Sequence, residues 1–178
     1  MLQTPSGRAH RYQKVSIMNK ITYRPIGIVH SPFRFPEGTP IQPAAAKDIQ
    51  AQIEIFPDYS TGLTDLNGFS HIIIIFHMHL AKCKSLLVTP FLDTDSHGVF
   101  ATRSPGRPNP IGMSVVRLEK IENNLLFVID IDILDGSPVL DIKPYIPEFD
   151  IHEVNKSGWI EKNIHKLDSQ KDDGRFKI

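Results

Sequence analysis

From Thr22 onward the chain is a succession of short apolar runs, rich in β-branched residues and broken by proline and glycine, a texture that predicts the strands of a sandwich or barrel. Strands are expected at Tyr23–His30, Ala51–Phe56, His71–Leu80, Leu86–Phe91, Gly112–Ile121 and Leu125–Leu134. Asn123-Asn124 separates the last two, and asparagine tolerates the positive φ of a two-residue hairpin turn. Along the second arm Leu125, Phe127, Ile129, Ile131 and Ile133 alternate with Leu126, Val128, Asp130, Asp132 and Leu134. The first set is uniformly apolar, so it is expected to face the core.

Helical spacing is limited to Ala44–Gln50, a turn around Asp58–Leu66, and Ile151, Val154, Trp159 and Ile160 near the end. The expectation is an all-β domain over residues 20–150 with short accessory helices. A helical, charged extension follows over 151–178, its last residues KLDSQKDDGRFKI fraying. Residues 1–19 are polar, carry Arg8, Arg11 and Lys14, and are predicted to form a disordered basic arm.

Composition narrows the function classes. The longest apolar run, Ile72–Phe76, is far short of the roughly 20 residues of a membrane span, and the N-terminus lacks the apolar stretch of a secretory signal. A cytoplasmic protein that does not enter membranes is expected. Cys83 is the single cysteine, so neither an intrachain disulfide nor a CxxC motif is available. Formal net charge is zero, so any RNA contact must rest on a local patch.

Two segments do not look like scaffold. In Gly98–Gly112, Pro105, Pro108 and Pro110 stiffen a loop that carries Arg103 and Arg107. Fixed φ values lower the entropic cost of holding a loop in one shape, and guanidinium groups presented from it suit carboxylate or phosphate. A solvated turn whose arginines pair with Asp93 and Asp95 is the alternative. In Asp132–Pro147, a turn at Asp135-Gly136-Ser137-Pro138 precedes Asp141, Lys143 and Tyr145, which share one face of an extended segment. That face is either a reactive surface or an exposed edge strand with an ion pair. The arginine loop and the aspartate turn are expected to converge on one pocket.

Other templates fail. His77 and His79 share a strand face and, with His71, Cys83 or His97, make a weak metal-ligand set because no spacing rule supplies the third ligand; no metal is expected. Gly-x-Gly, G-x-S-x-G, Walker A and H-E-x-x-H patterns are all missing from the sequence, which excludes a Rossmann sheet and the common hydrolase and phosphotransfer motifs.

The words FATRSPGRPNPIGMSVVRLEKIE and DILDGSPVLDIKPYIP, with PIGIVHSPF, PIQPAA and LNGFSHIIIIF, closely resemble the TsaA-like family over about residues 23–148. These are the tRNA threonylcarbamoyladenosine N6-methyltransferases, also called TrmO. The resemblance implies a small closed or nearly closed β-barrel that binds S-adenosylmethionine without a Rossmann sheet, acts on tRNA, and is usually a homodimer with its site near the subunit boundary. Carried across, Gln42, Pro43, Ser70, His71, Arg103, Leu134, Asp135 and Gly136 bind the cofactor. Arg107 and Asn109 bind substrate. Asp141, Lys143 and Tyr145 are the catalytic candidates, with Asp135 a second candidate proton acceptor. The chain carries Ser137 where many members have Thr. A barrel that binds nucleotide or RNA without turnover is the alternative function, and a hydrolase using a metal on His77, His79 and His97 is a further one.

Overall fold

The computed structural model describes residues 20–176; the arm expected over 1–19 lies outside the described residues. The strands are β1 (Gly27–His30), β2 (Gln50–Ile55), β3 (His71–His77), β4 (Leu87–Val88), β5 (His97–Gly98), β6 (Ile111–Glu122), β7 (Leu125–Ile129) and β8 (Pro138–Pro144). Six of them close a barrel in the order β1-β2-β7-β6-β3-β8, while β4 and β5 form a separate ribbon. Each adjacent pair in the barrel is antiparallel, including the closing pair β8 and β1. Closure explains how so short a set of strands leaves no unpaired edge.

Alternation selects the interior. Ile72, Ile74 and Phe76 of β3 point inward with Val29, Ile53, Ile55, Val116, Leu126, Val128 and Val139. Each fully buried side chain of this kind contributes roughly 1.5–3 kcal/mol. Between β3 and β6, Phe76 lies opposite Gly112, and only a residue without a side chain leaves room for its ring.

The structure corrects the sequence reading at five places. The predicted core face of β7 is reversed, because Leu126 and Val128 are buried while Leu125, Phe127 and Ile129 are only partly so. After β7, Asp130 takes a left-handed φ of 70°, which shifts the alternation by one and turns Ile131 and Ile133 into the core. A left-handed aspartate is locally unfavourable. Here Arg117 offsets that cost, bonding Asp130 at 3.1 Å and Asp48 at 3.0 Å, while the Asp48 amide donates to Asp130 at 2.8 Å.

Next, β8 is not an exposed edge: it pairs with β3 on one side and β1 on the other. The strand expected at Leu86–Phe91 shrinks to β4, outside the barrel. The helical spacing at Ala44–Gln50 yields only a 3₁₀ turn over Pro43–Ala45, since proline starts a turn that nothing extends.

Finally, the tail does not fray over its described residues, which run to Phe176. After a short α1 (Pro147–Asp150) and 3₁₀ turns at Gly158–Lys162 and Ile164–Lys166, it returns to the body of the protein. Phe176 is 8% exposed and packs with Val88, Val99 and Phe91 in a second small core. Among the described residues no helix is long and apolar enough to cross a membrane.

Replacing Gly112 by alanine forces a β-carbon into the Phe76 ring. Overpacking of this kind costs about 1–3 kcal/mol. The loss is expected as a lowered midpoint in thermal or urea unfolding, and an unchanged midpoint would show that the barrel can dilate here.

Candidate functional site

The proline-rich loop has an inner and an outer arginine. Arg107 folds back into its own loop, donating from Nε to the Ser104 carbonyl at 2.9 Å and from Nη2 to the carbonyls of Thr102 at 2.6 Å and Val99 at 3.2 Å. A guanidinium that bonds three carbonyls holds a loop rigid, so the structure turns this predicted phosphate ligand inward. Arg103 and Asn109 face solvent. Neither arginine pairs with Asp93 or Asp95, because Asp93 instead bonds His97 and Asn163.

Arg103 reaches across to the segment between β1 and β2, where its Nη1 donates to Gln42 Oε1 at 2.7 Å. Gln42 precedes the Pro43–Ala45 turn, whose first residue fixes φ. Two of the residues that the resemblance assigns to the cofactor, 61 positions apart, therefore meet directly.

The third partner is one the sequence reading passed over. Asp132 accepts a 2.6 Å hydrogen bond from Ser114 Oγ, and Ser114 is an inward-facing, buried residue of β6. Burial raises the Asp132 carboxyl to about 6, against the opposing effects of the Ser114 hydrogen bond and the positive charge of Arg103. The signal for Asp132 was available only in part, since its position relative to the core depends on the shift of alternation at Asp130. The expected convergence of Arg103 with the Asp135 turn is not what the structure shows: Asp135 lines a groove without Arg103, and it is Asp132, three residues earlier, that feels the charge of Arg103.

Asp135 does something else. Its Oδ1 accepts the Ser31 amide at 3.1 Å and its own amide donates to the Phe33 carbonyl at 2.7 Å, so it fastens the segment after β1. It also borders a surface groove of about 460 Å³ lined by His30, Arg34, Gln50 and Gln52, of which Arg103 is not part. Gly136 has φ of 75°, a conformation natural to glycine, and donates to the Val29 carbonyl at 2.8 Å. Leu134 is half-buried beside them.

The remaining predicted residues lie on the outer wall. Asp141 and Lys143 of β8 pair in register with Ile75 and Ile73, away from the inward Ile72, Ile74 and Phe76. Their side chains form a 2.7 Å ion pair and are about half exposed, at 48% and 61%. His71, at the start of β3, bonds Ser70 Oγ through Nδ1 at 3.0 Å, and its ring lies 6.3 Å from that of Tyr145. Among the described residues no hydrogen bond or ion pair joins this outer column to Gln42, Arg103 or Asp132. Asp141 also borders a cleft of about 230 Å³ beneath the Pro57–Leu63 turn.

The histidines are not gathered. β3 ends at His77, so His79 does not share its strand face as expected; it bonds Ser137 at 3.2 Å. Burial, and then the charge of His77, lowers the His79 pKa, with Asp135 opposing. His97 instead stacks on Trp159 at 4.7 Å. Among the described residues no group of three His, Cys, Asp or Glu side chains could hold a metal ion.

What the meeting point can do follows from its groups. A guanidinium suits a ligand carboxylate, a carboxamide can both donate and accept, and a buried carboxylate suits an ammonium or sulfonium. Gln42, Arg103 and Asp132 thus bring a carboxamide, a cation and a carboxylate to one place, the groups that complement a ligand carrying charges of both signs.

Residues 28–151 match the family described as tRNA-methyltransferase O N-terminal domain. A "Probable S-adenosyl-L-methionine-binding protein" of Pyrococcus abyssi is 60% identical over 156 residues, covering 88% of this chain and 85% of that protein. The human "tRNA (adenine(37)-N6)-methyltransferase" is 41% identical over 133 residues, which is 71% of this chain but only 30% of the human one. The crystal structure of TrmO from Pseudomonas aeruginosa is similar at a TM-score of 0.66 and 37% identity, over 79% of this chain and 62% of that one.

The elevated Asp132 pKa carries a sign. A carboxyl whose folded pKa lies above its unfolded value binds the proton more tightly when folded, so its burial costs stability that grows as pH rises from about 4 to 6 and stays lost above. Asp132→Asn, which keeps an acceptor for Ser114, is expected to be the more stable protein above pH 7, by on the order of 2 kcal/mol, and to lose that advantage near pH 4. Unfolding at the two pH values measures it; equal differences at both would contradict the assignment.

Proposed function

This chain belongs to the tRNA-methyltransferase O family, and we propose that it methylates N6 of threonylcarbamoyl-adenosine beside the anticodon of tRNA, with S-adenosylmethionine as donor. The observation that carries this reading is the meeting of Arg103 with Gln42, with the partly buried carboxylate of Asp132 in the field of Arg103. The named activity of the human relative supports it.

The cofactor, when bound, supplies a methyl group on a positively charged sulfur that is already electrophilic. The protein's task is then mostly alignment, which is worth roughly 7–11 kcal/mol for well-oriented reactants. Arg103 takes the methionine carboxylate, with Gln42 holding the guanidinium in place, and Asp132 faces the positive charge. Transfer of that methyl to the nitrogen would leave the electron pair of the broken bond with sulfur and would require a group of the protein to take the nitrogen's proton. Asp141 accepts that proton, while Lys143 bonds the Asp141 carboxylate and, with Tyr145, orients the threonylcarbamoyl group. Asn109 and the exposed side of the arginine loop meet the RNA.

Because Asp141, Lys143, Tyr145, Ser70 and His71 stand on the outer wall and Arg103 at the barrel mouth, a complete site is drawn from two protomers. The exposed Ile111 and Met113 of β6, at 40% and 52%, support burial of that wall in a homodimer. The protein works in the cytoplasm, where its tRNA substrate is found.

Transfer of a labelled methyl group from the cofactor to tRNA carrying threonylcarbamoyl-adenosine, followed by mass spectrometry of the nucleosides, tests the reaction. Methyl appearing only when the threonylcarbamoyl group is present is the expected result. Cofactor binding without transfer would instead favour a non-catalytic binding module, the reading nearest to the name of the Pyrococcus relative.

Two substitutions assign the roles. Arg103→Ala is expected to weaken cofactor affinity about 10- to 100-fold by calorimetry, the range for a lost charged hydrogen bond. Asp141→Asn is expected to slow the methyl-transfer step on the order of 10²-fold while leaving that affinity unchanged. A parental rate for Asp141→Asn would remove it as proton acceptor.

A further inference from the structure

The family match ends at residue 151, yet the next 25 residues make contacts that bear on the site. They return along the molecule and touch both segments that present the Gln42–Arg103 pair. Trp159 Nε1 donates to the Ala101 carbonyl at 2.9 Å, two residues before Arg103, and its indole stacks on His97 at 4.7 Å with an interplanar angle of 18°. Asn163 holds Asp93, the partner of His97, at 3.1 Å.

Further along, Lys171 bridges Pro40, the Gly38 amide donates to the Asp172 carbonyl at 2.8 Å, and the Asp172 amide donates to the Thr39 carbonyl at 3.0 Å. These main-chain bonds grip the segment two residues before Gln42. Phe176 then plugs the small core against Val99, the first residue of the turn that leads to Arg103.

We infer that residues 158–176 form a strap that sets the spacing of Gln42 and Arg103, and that Trp159 is a positioning residue for the cofactor. This rests on the reading of Arg103 as a cofactor ligand. The physical argument is one of entropy. Arg103 is exposed in the long connection between β5 and β6, and Gln42 lies on another long connection between β1 and β2. Arg107 makes the arginine loop rigid within itself, but the position of that loop relative to the Gln42 segment rests on one exposed side-chain bond, and this relative freedom is lost when a ligand is bound. One strap bonded to both removes that freedom before binding. The barrel strands alone do not, because neither segment belongs to the barrel's hydrogen-bonded ladder.

Trp159→Phe removes the indole N–H while keeping an aromatic ring to stack on His97. Cofactor affinity by calorimetry is expected to fall about threefold to tenfold, the range for one lost hydrogen bond. The thermal midpoint of the cofactor-free protein is followed in parallel to show that the fold is intact.

The discriminating readout is a double-mutant cycle with Arg103→Ala. If Trp159 acts by placing Arg103, then Trp159→Phe has no further effect once Arg103 is gone. Parental affinity in Trp159→Phe, or effects that simply multiply in the double variant, would overturn the strap's role while leaving Arg103 as a ligand. Parental affinity in Arg103→Ala alone would overturn the ligand reading, and this inference with it.

Discussion

The structure depends on one local device: a left-handed aspartate at the end of β7. Asp130, at φ of 70°, moves the chain's alternation on by one residue, so that Ile131 and Ile133 fill the barrel where a continued strand would have pointed them outward. Arg117 holds both Asp130 and Asp48, itself left-handed at 62°. Donating hydrogen bonds to Asp48 and Asp130 raises the arginine's pKa. The bonds matter here as geometry, because ion pairs this exposed add little stability by themselves.

From that shift the site follows. With Ile131 and Ile133 anchored in the core, Asp132 between them is carried to Ser114 and into the field of Arg103. The next turn sends Asp135 and Gly136 back over β1, where they fix the Ser31–Phe33 segment. A single residue pattern, DILDGSP, therefore serves the core, a polar site and a loop clasp at once. Its aspartates look alike in sequence and differ entirely in surroundings.

Around the barrel mouth, rigidity comes from outside the barrel. Arg107 staples its own loop through three carbonyls, and the tail binds the flanks of both Gln42 and Arg103. The outer wall has no such brace. It presents an ion pair, a His–Tyr contact and exposed apolar side chains, the mixture of groups that a second protomer or a substrate can cover.

The sequence by itself determined the class of fold, because β-branched runs with period two can bury one face only as strands, and it located the hairpin at Asn123-Asn124. It also grouped Asp141, Lys143 and Tyr145 on one face, since that grouping is set by covalent geometry. Tertiary structure alone decided which face of β7 is inside, which arginine faces outward to Gln42, and which aspartate is drawn toward the core. Those choices depend on contacts between residues far apart in the chain, such as Arg117 with Asp48 or Arg103 with Gln42, and no local pattern encodes them. The same holds for the tail, whose charged composition suggested fraying. Its one buried aromatic, Phe176, finds a partner surface only after Val88, Val99 and Phe91 have been brought together.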